Sequence, residues 1–235
     1  MPGWKFPLPG SSKKRCFASL ILLYVVMFSF TKKNFTLLCD QLAATDSDLQ
    51  LVIERYGYPP LWKRPASFET LLRIILEQQV SLQSALAAFN KLKEKIIDVT
   101  PQNLLLLSDD ELKACYFSRQ KMGYSRHLAA NIINGKLKLS GLATLSNVDV
   151  KETLTKIKGI GNWTTDVYLM MVLNRCDVFP LGDIALLTSI KEVKGLPAET
   201  TREAIALIAA QWKPYQSIAA YILWHNYLCK RNRQG

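Results

Sequence analysis

The sequence predicts an all-α protein, two small helical lobes flanking a cleft, and three observations carry that expectation. Apolar residues recur at helical spacing nearly everywhere from residue 67 onward. No run of alternating apolar and polar residues is long enough for a strand. Capping residues and glycine or proline breaks follow one another at short intervals, which implies roughly nine or ten short helices. With 235 residues, 49% of them hydrophobic, the chain can bury a real core, which excludes a disordered or fibrous class.

Before residue 34 the pattern is different. Lys13, Lys14 and Arg15 precede an apolar run over 16–30, and Lys32 and Lys33 follow it. Such a basic flank resembles a signal-peptide core, yet no small-x-small cleavage site follows, and a membrane span needs about 20 residues. A third reading starts translation at Met27 and makes 1–26 an upstream extension. This third reading is preferred, because the rest of the chain has the character of a cytoplasmic or nuclear enzyme; a targeting segment or anchor stays open. The expected boundaries are an extension over 1–33 and a domain over 34–232.

Within that domain, Phe68, Leu71, Leu72, Ile75 and Leu76 form one helical stripe behind Ser67 as N-cap. Ser81 begins a second helix, whose buried face is expected to hold Leu82, Leu86, Phe89 and Leu92. Ser108-Asp-Asp-Glu111 is a capping box, and Asp149-Val-Lys-Glu152 resembles one with Asp149 as the cap. Gly135, Gly141 and Gly195 are expected at helix ends, and Pro197 and Pro214 at breaks.

The most informative stretch runs from Leu154 to Thr165. A capped helix over 150–157 reaches Gly159-Ile160-Gly161, and a second helix runs from about 162 to 175. Glycine permits backbone angles closed to other residues and lets a phosphate approach the chain. The free N–H groups at the second helix's start then face that phosphate, and the helix dipole favours the anion. Ile160 is expected to pack between the helices. The stretch resembles the helix-hairpin-helix motif, LxxIxGIGxxT, which occurs in enzymes and in plain DNA binders alike. Lys158, Gly159, Ile160, Gly161 and Thr164 are its candidate DNA contacts; an ordinary helix-capping turn is the plainer alternative.

Charge agrees in sign with such a partner. Lysine and arginine outnumber acids 30 to 19, a net +11, which suits a polyanion through counterion release. Residues 1–39 hold six of these bases and no acid, so the remainder carries 24 against 19, only +5. Cys16, Cys39, Cys115, Cys176 and Cys229 are scattered, without the spacing of a metal site or disulfide framework. Only two histidines are present, His127 and His225.

Twenty residues beyond the hairpin comes Asp177-Val-Phe-Pro-Leu-Gly182-Asp183. Here the chain resembles the helix-hairpin-helix DNA glycosylases, and within them the 3-methyladenine DNA glycosylase II family. Tyr58-Pro-Pro-Leu-Trp62, residues 68–81 and residues 212–224 carry the resemblance further, over about residues 50–230. It implies that Asp183 is the catalytic carboxylate, stabilising the positive charge that builds on the sugar as the base departs. Capping of the following helix is the structural alternative, and both roles are compatible. Asp166 and Asp177 are competing acids that do not match the family position.

The same resemblance implies the remaining site. The base is flipped into a cleft, where electron-rich rings favour cationic alkylated purines such as 3-methyladenine and 7-methylguanine. Trp163 and Trp224 match aromatic pocket positions; core packing is the alternative for each. Gln78 matches a pocket edge and Gln79 the wedge that fills the gap left by the base. Val167 stands where some relatives have a pocket tyrosine, with Tyr168 one step away, and Gln216 stands where an arginine is common. Bifunctional relatives carry a Schiff-base lysine at the position of Trp163, so a monofunctional enzyme that leaves an abasic site is expected. Only Cys229 lies where relatives of the endonuclease branch hold an iron–sulfur cluster. No cofactor is expected beyond a monovalent Na+ or K+ on the backbone carbonyls of Thr155, Ile157 and Ile160. The expected partner is double-stranded DNA with alkylated bases, bound by a monomer with no obligate protein partner. A non-catalytic DNA-binding module, or a glycosylase for another lesion, are the alternatives.

Overall fold

The computed structural model describes residues 29–232, so the expectations for 1–28 lie outside the described residues. Twelve α-helices are described: α1 (Phe35–Ala43), α2 (Ser47–Tyr56), α3 (Phe68–Glu77), α4 (Leu82–Lys95), α5 (Pro101–Leu106), α6 (Asp109–Ala114), α7 (Arg119–Ile133), α8 (Asn147–Thr155), α9 (Asn162–Met171), α10 (Ile184–Val193), α11 (Arg202–Ala210) and α12 (Gln216–Asn232). A 3-10 turn spans Leu139–Thr144. Among the described residues there is no strand, only an isolated antiparallel bridge between Ser29 and Arg175. No helix among them is long and apolar enough to cross a membrane.

The helices sort into two groups. In one, α3, α5 and α6 pack on α7, and α4 packs on α3; in the other, α12 is the central helix, flanked by α1, α2, α10 and α11. Helix α9 packs on both α8 and α3, and its Trp163 donates to Asp183 at the head of α10, which links the groups. The middle of α12, from Ser217 through Leu223, is wholly buried, which explains its lack of an amphipathic stripe.

Local chemistry sets the helix starts. Ser67, Ser81, Thr100, Ser118 and Thr201 each accept a backbone N–H of the turn they precede, a contribution of about 1 kcal/mol apiece. Ser108 and Glu111 form the expected reciprocal box. The box expected from Asp149 is displaced: Ser146 is the cap of α8, accepting from Asp149 N at 3.1 Å and donating to Asp149 Oδ2 at 2.7 Å. Ser146 stands three residues before Asp149, so the acid occupies the third position of the turn that Ser146 caps and lies inside the helix. Gly135 and Gly195 close helices at positive φ, whereas Gly141 lies inside the 3-10 turn.

Two expectations about burial are overturned. Leu82 and Leu86 are 59% and 50% exposed, and α4 buries Ala85, Ala88, Phe89 and Leu92 instead. The two apolar rows lie side by side on the helix, and only packing against α3 selects between them. The domain also begins earlier than residue 34. Phe30 is 1% exposed, its N–H donates to Asn174 O at 2.8 Å, and its ring lies 5.5 Å from Tyr221 and 5.6 Å from Phe35.

Asp46 ties the α12 group together. It caps α2 through Asp48 N and Leu49 N, and accepts Lys194 Nζ at 2.6 Å and Trp212 Nε1 at 2.7 Å. Burial alone would raise its carboxyl, but the hydrogen bonds from Lys194, Trp212 and Leu49 hold it below the usual aspartate range.

Phe30→Ala is expected to destabilise the protein by about 3 kcal/mol through loss of a buried ring and the cavity it leaves. Urea unfolding of the two proteins measures this, and equal midpoints would place Phe30 outside the core.

Candidate active site

The loop from α9 to α10 delivers Asp183. Ser217 at the start of α12 grips that loop, its hydroxyl donating to Val178 O at 3.0 Å and accepting from Val178 N at 3.1 Å. A turn closed by Asp183 N donating to Pro180 O at 2.9 Å then sets the carboxylate at the head of α10. Three N–H groups converge on it. Oδ1 accepts from Leu186 N at 2.9 Å and Trp224 Nε1 at 3.2 Å, and Oδ2 from Trp163 Nε1 at 2.9 Å. Asp183 is therefore both the cap of α10 and the meeting point of α9, α10 and α12. The donors and the helix N-terminus complement its negative charge.

Neither competing acid has such a setting. Asp166 is buried against Lys151 at 2.6 Å; burial raises its carboxyl and the lysine offsets part of that rise. Asp177 is likewise raised by burial, with Lys213 and the Gln216 N–H pulling the other way. It lines a cavity of about 390 Å³ with Lys151, Phe179, Lys213 and Gln216, which does not include Asp183.

The two tryptophans differ in what they leave open. Trp163 is half-buried, with its edge turned to Asp183. Trp224 is only 8% exposed and sits in an aromatic cluster, 6.4 Å from Trp62 and 6.0 Å from Tyr221 between ring centroids. Trp62, stacked on Tyr221 at 5.4 Å and half-buried, was not singled out by the sequence; nothing local marks it except its place in the Tyr58–Trp62 segment.

The hairpin is built from α8, the turn and α9. Gly159 has φ +93°, and a Cβ there would stand 2.1 Å from Cγ of Tyr124. Gly161 differs from expectation: its φ of −100° is open to any residue, and a Cβ would meet nothing within 4 Å. It heads α9 with no side-chain cap, and the first helical bond is Thr165 N donating to Gly161 O. The N–H groups of that first turn have no acceptor within the helix. Ile160 is buried, with its N–H donating to Ile157 O at 3.0 Å. The Lys158 side chain is exposed, as is Gln79, which has φ +56° immediately beyond the end of α3.

Three expected site residues turn inward. Gln78 is half-buried, and its Nε2 donates to Gly159 O and to Thr164 Oγ1, both at 2.8 Å, which clamps the hairpin to the end of α3. Thr164 points into that clamp and is buried, so its side chain offers nothing to DNA. Tyr168 is fully buried, its hydroxyl has no partner, and burial pushes it up to about 12. One step along a helix turns a side chain by about 100°, which carries residue 168 into the core. Sequence reading missed α7 entirely as a supporting element. Tyr124 lies under Gly159, His127 accepts from Lys158 N at 3.1 Å, and Lys121 donates to Leu76 O. Long sequence separation hides all three.

A loop carboxylate fed by indole N–H groups, beside a hairpin whose helix begins uncapped, places the chain in a known class. Residues 72–214 match the family model for HhH-GPD superfamily base excision DNA repair proteins, and the chain belongs to that superfamily. It is 31% identical to DNA-3-methyladenine glycosylase 1 of Schizosaccharomyces pombe, covering 67% of this chain and 71% of that one. It is 29% identical to a putative DNA-3-methyladenine glycosylase of Bacillus subtilis, covering 77% of this chain and 66% of the relative. A solved S. pombe 3-methyladenine DNA glycosylase in complex with abasic DNA superposes with a TM-score of 0.74 at 28% identity, covering 80% of this chain and 94% of that one.

The two glycines should separate folding from grip. Gly159→Ala is expected to cost about 2–4 kcal/mol of stability, from strained φ and collision with Tyr124. Gly161→Ala should unfold like the wild type, and any loss should fall on DNA affinity, equally for methylated and plain duplexes, since phosphate contacts carry no base information. Thermal unfolding and paired binding titrations distinguish the two; destabilisation by Gly161→Ala would contradict this division.

Proposed function

We propose that this protein is a monofunctional DNA glycosylase that hydrolyses the N-glycosidic bond of alkylated purines and leaves an abasic site. The observation that carries the reading is the Asp183 carboxylate, held by Leu186 N, Trp163 Nε1 and Trp224 Nε1 beside the hairpin. In the reaction the C1′–N bond breaks and its electron pair leaves on the base. An alkylated purine that is already cationic departs neutral, which makes it a good leaving group. The sugar is left with oxocarbenium character, and a nearby fixed carboxylate stabilises that charge. Water then forms the new C1′–O bond and loses a proton, for which Asp183 is the acceptor. Preorganisation supports this role: the carboxylate is fixed from three sides, so it need not reorient as charge develops.

Substrate preference follows from Trp163. Its half-buried ring is the aromatic surface beside the carboxylate that a flipped base can meet, and a cationic base is attracted to an indole face by about 0.5–2 kcal/mol. Trp224, sunk in its aromatic cluster, serves to hold Asp183. Absence of lyase chemistry rests on the same position, because an indole cannot form the Schiff base that a lysine would. The hairpin grips a phosphate through the first-turn N–H groups of α9, and Gln79 fills the space vacated by the base. If a monovalent cation binds, the carbonyls of Thr155, Ile157 and Ile160 would hold it and add positive charge beside the phosphate. The protein acts on double-stranded DNA as a monomer.

Base release from methylated duplex tests the reading, with wild type beside Asp183→Asn. The substitution is expected to lower the single-turnover rate by at least about a thousandfold while affinity for plain duplex stays the same or rises. Borohydride added to the wild-type reaction should trap no protein–DNA adduct. Normal turnover by Asp183→Asn removes that residue from the chemistry, and a trapped adduct overturns the monofunctional assignment.

A further inference from the structure

One N–H of the hairpin turn finds its acceptor on a helix outside the motif. Ile157 N donates to Leu154 O and Ile160 N to Ile157 O, both within the motif. Lys158 N, between them, leaves the motif altogether and donates to His127 Nδ1 on α7, 31 residues earlier, at 3.1 Å. The amide of Asn131 lies 3.3 Å from the same nitrogen while also donating to the His127 carbonyl at 2.8 Å. A backbone N–H can only donate, so Nδ1 is the acceptor in the contact with Lys158.

We propose that His127 is a positioning residue for the hairpin's hold on DNA, acting as the acceptor that orients the Lys158 peptide. The inference rests on the hairpin being the phosphate-gripping element. The turn is held from outside at adjacent points: His127 takes the N–H of Lys158, Gln78 donates to the carbonyl of Gly159, and the Tyr124 ring fills the space beside Gly159. Gln78 and Tyr124 fix only one residue of the turn, about which the peptide before it could still rotate. His127 supplies the second point, and two fixed points set the direction in which Gly161 and the start of α9 present their N–H groups. His127 is half-buried and none of its hydrogen bonds reaches Asp183 or the tryptophans. Its effect therefore belongs to binding and not to bond cleavage.

The chemistry specifies its own control. Asparagine places Oδ1 where histidine has Nδ1, so His127→Asn keeps an acceptor there, whereas His127→Leu fills similar space without one. Titration of plain and methylated duplex should show His127→Leu weakened about three- to tenfold on both, the scale of one hydrogen bond, with the saturated single-turnover excision rate within about twofold of wild type. His127→Asn should bind within about twofold of wild type. Thermal unfolding of both variants checks that each is folded. Two results overturn the proposal: His127→Leu binding like wild type, or His127→Asn binding as weakly as His127→Leu, which would make ring shape the determinant. Replacing Gly161 with valine in the same assay separates the two levels. If Gly161→Val also leaves affinity untouched, the hairpin is not the phosphate grip, whereas a weakened Gly161→Val beside a normal His127→Leu refutes the role of His127 alone.

Discussion

Everything chemical in this molecule depends on one carboxylate and the three N–H groups directed at it. Asp183 accepts one from its own helix and one indole N–H from each of two other helices. A carboxylate so held is anchored in position and complemented in charge, and a reaction that builds positive charge nearby gains stabilisation without reorganising the site. Much of the fold serves this arrangement. Ser217 pins the approaching loop, α12 is buried deeply enough to present Trp224 rigidly, and α9 carries Trp163 in its first turn. The second hairpin helix links the turn to the carboxylate: it begins at the turn, and its Trp163 donates to Asp183.

The helices and the hairpin were legible because their causes are local. Ser67 with the stripe from Phe68 to Leu76 encodes a capped amphipathic helix, and Gly159 encodes a turn with positive φ. Asp183 was singled out by resemblance to the glycosylases, and its place at the head of α10 follows from its local role as a cap. The directions of individual side chains were not. Gln78, Thr164 and Tyr168 were placed by position alone, and each turns inward, because rotation about a helix and packing against α3 and α7 decide where a residue points. Leu82 and Leu86 failed for a related reason: two adjacent apolar rows on α4 were equally compatible with the pattern. His127 and Tyr124 carry no local signature, and only the tertiary structure brings them to the turn.

This leaves a division of labour that the geometry supports residue by residue. The outer face, with Gly161, the start of α9, Lys158 and Gln79, is open, as the proposed hold on a DNA backbone requires. The inner face, with Trp163 and Asp183, is half-closed and built for charge. Gln78, Tyr124 and His127 hold the first in register without touching the second. On the proposed reading, affinity and chemistry are altered by different substitutions.

The most direct test of the account is to remove the indole N–H groups while keeping aromatic rings in place. Trp163→Phe and Trp224→Phe each delete one donor to Asp183, and a hydrogen bond to a charged group is worth about 1.5–3 kcal/mol. Single-turnover excision from methylated duplex should slow by at least about tenfold in each, while affinity for plain duplex stays at the wild-type value. Wild-type excision rates in both variants would contradict the claim that these two donors prepare the carboxylate for its work.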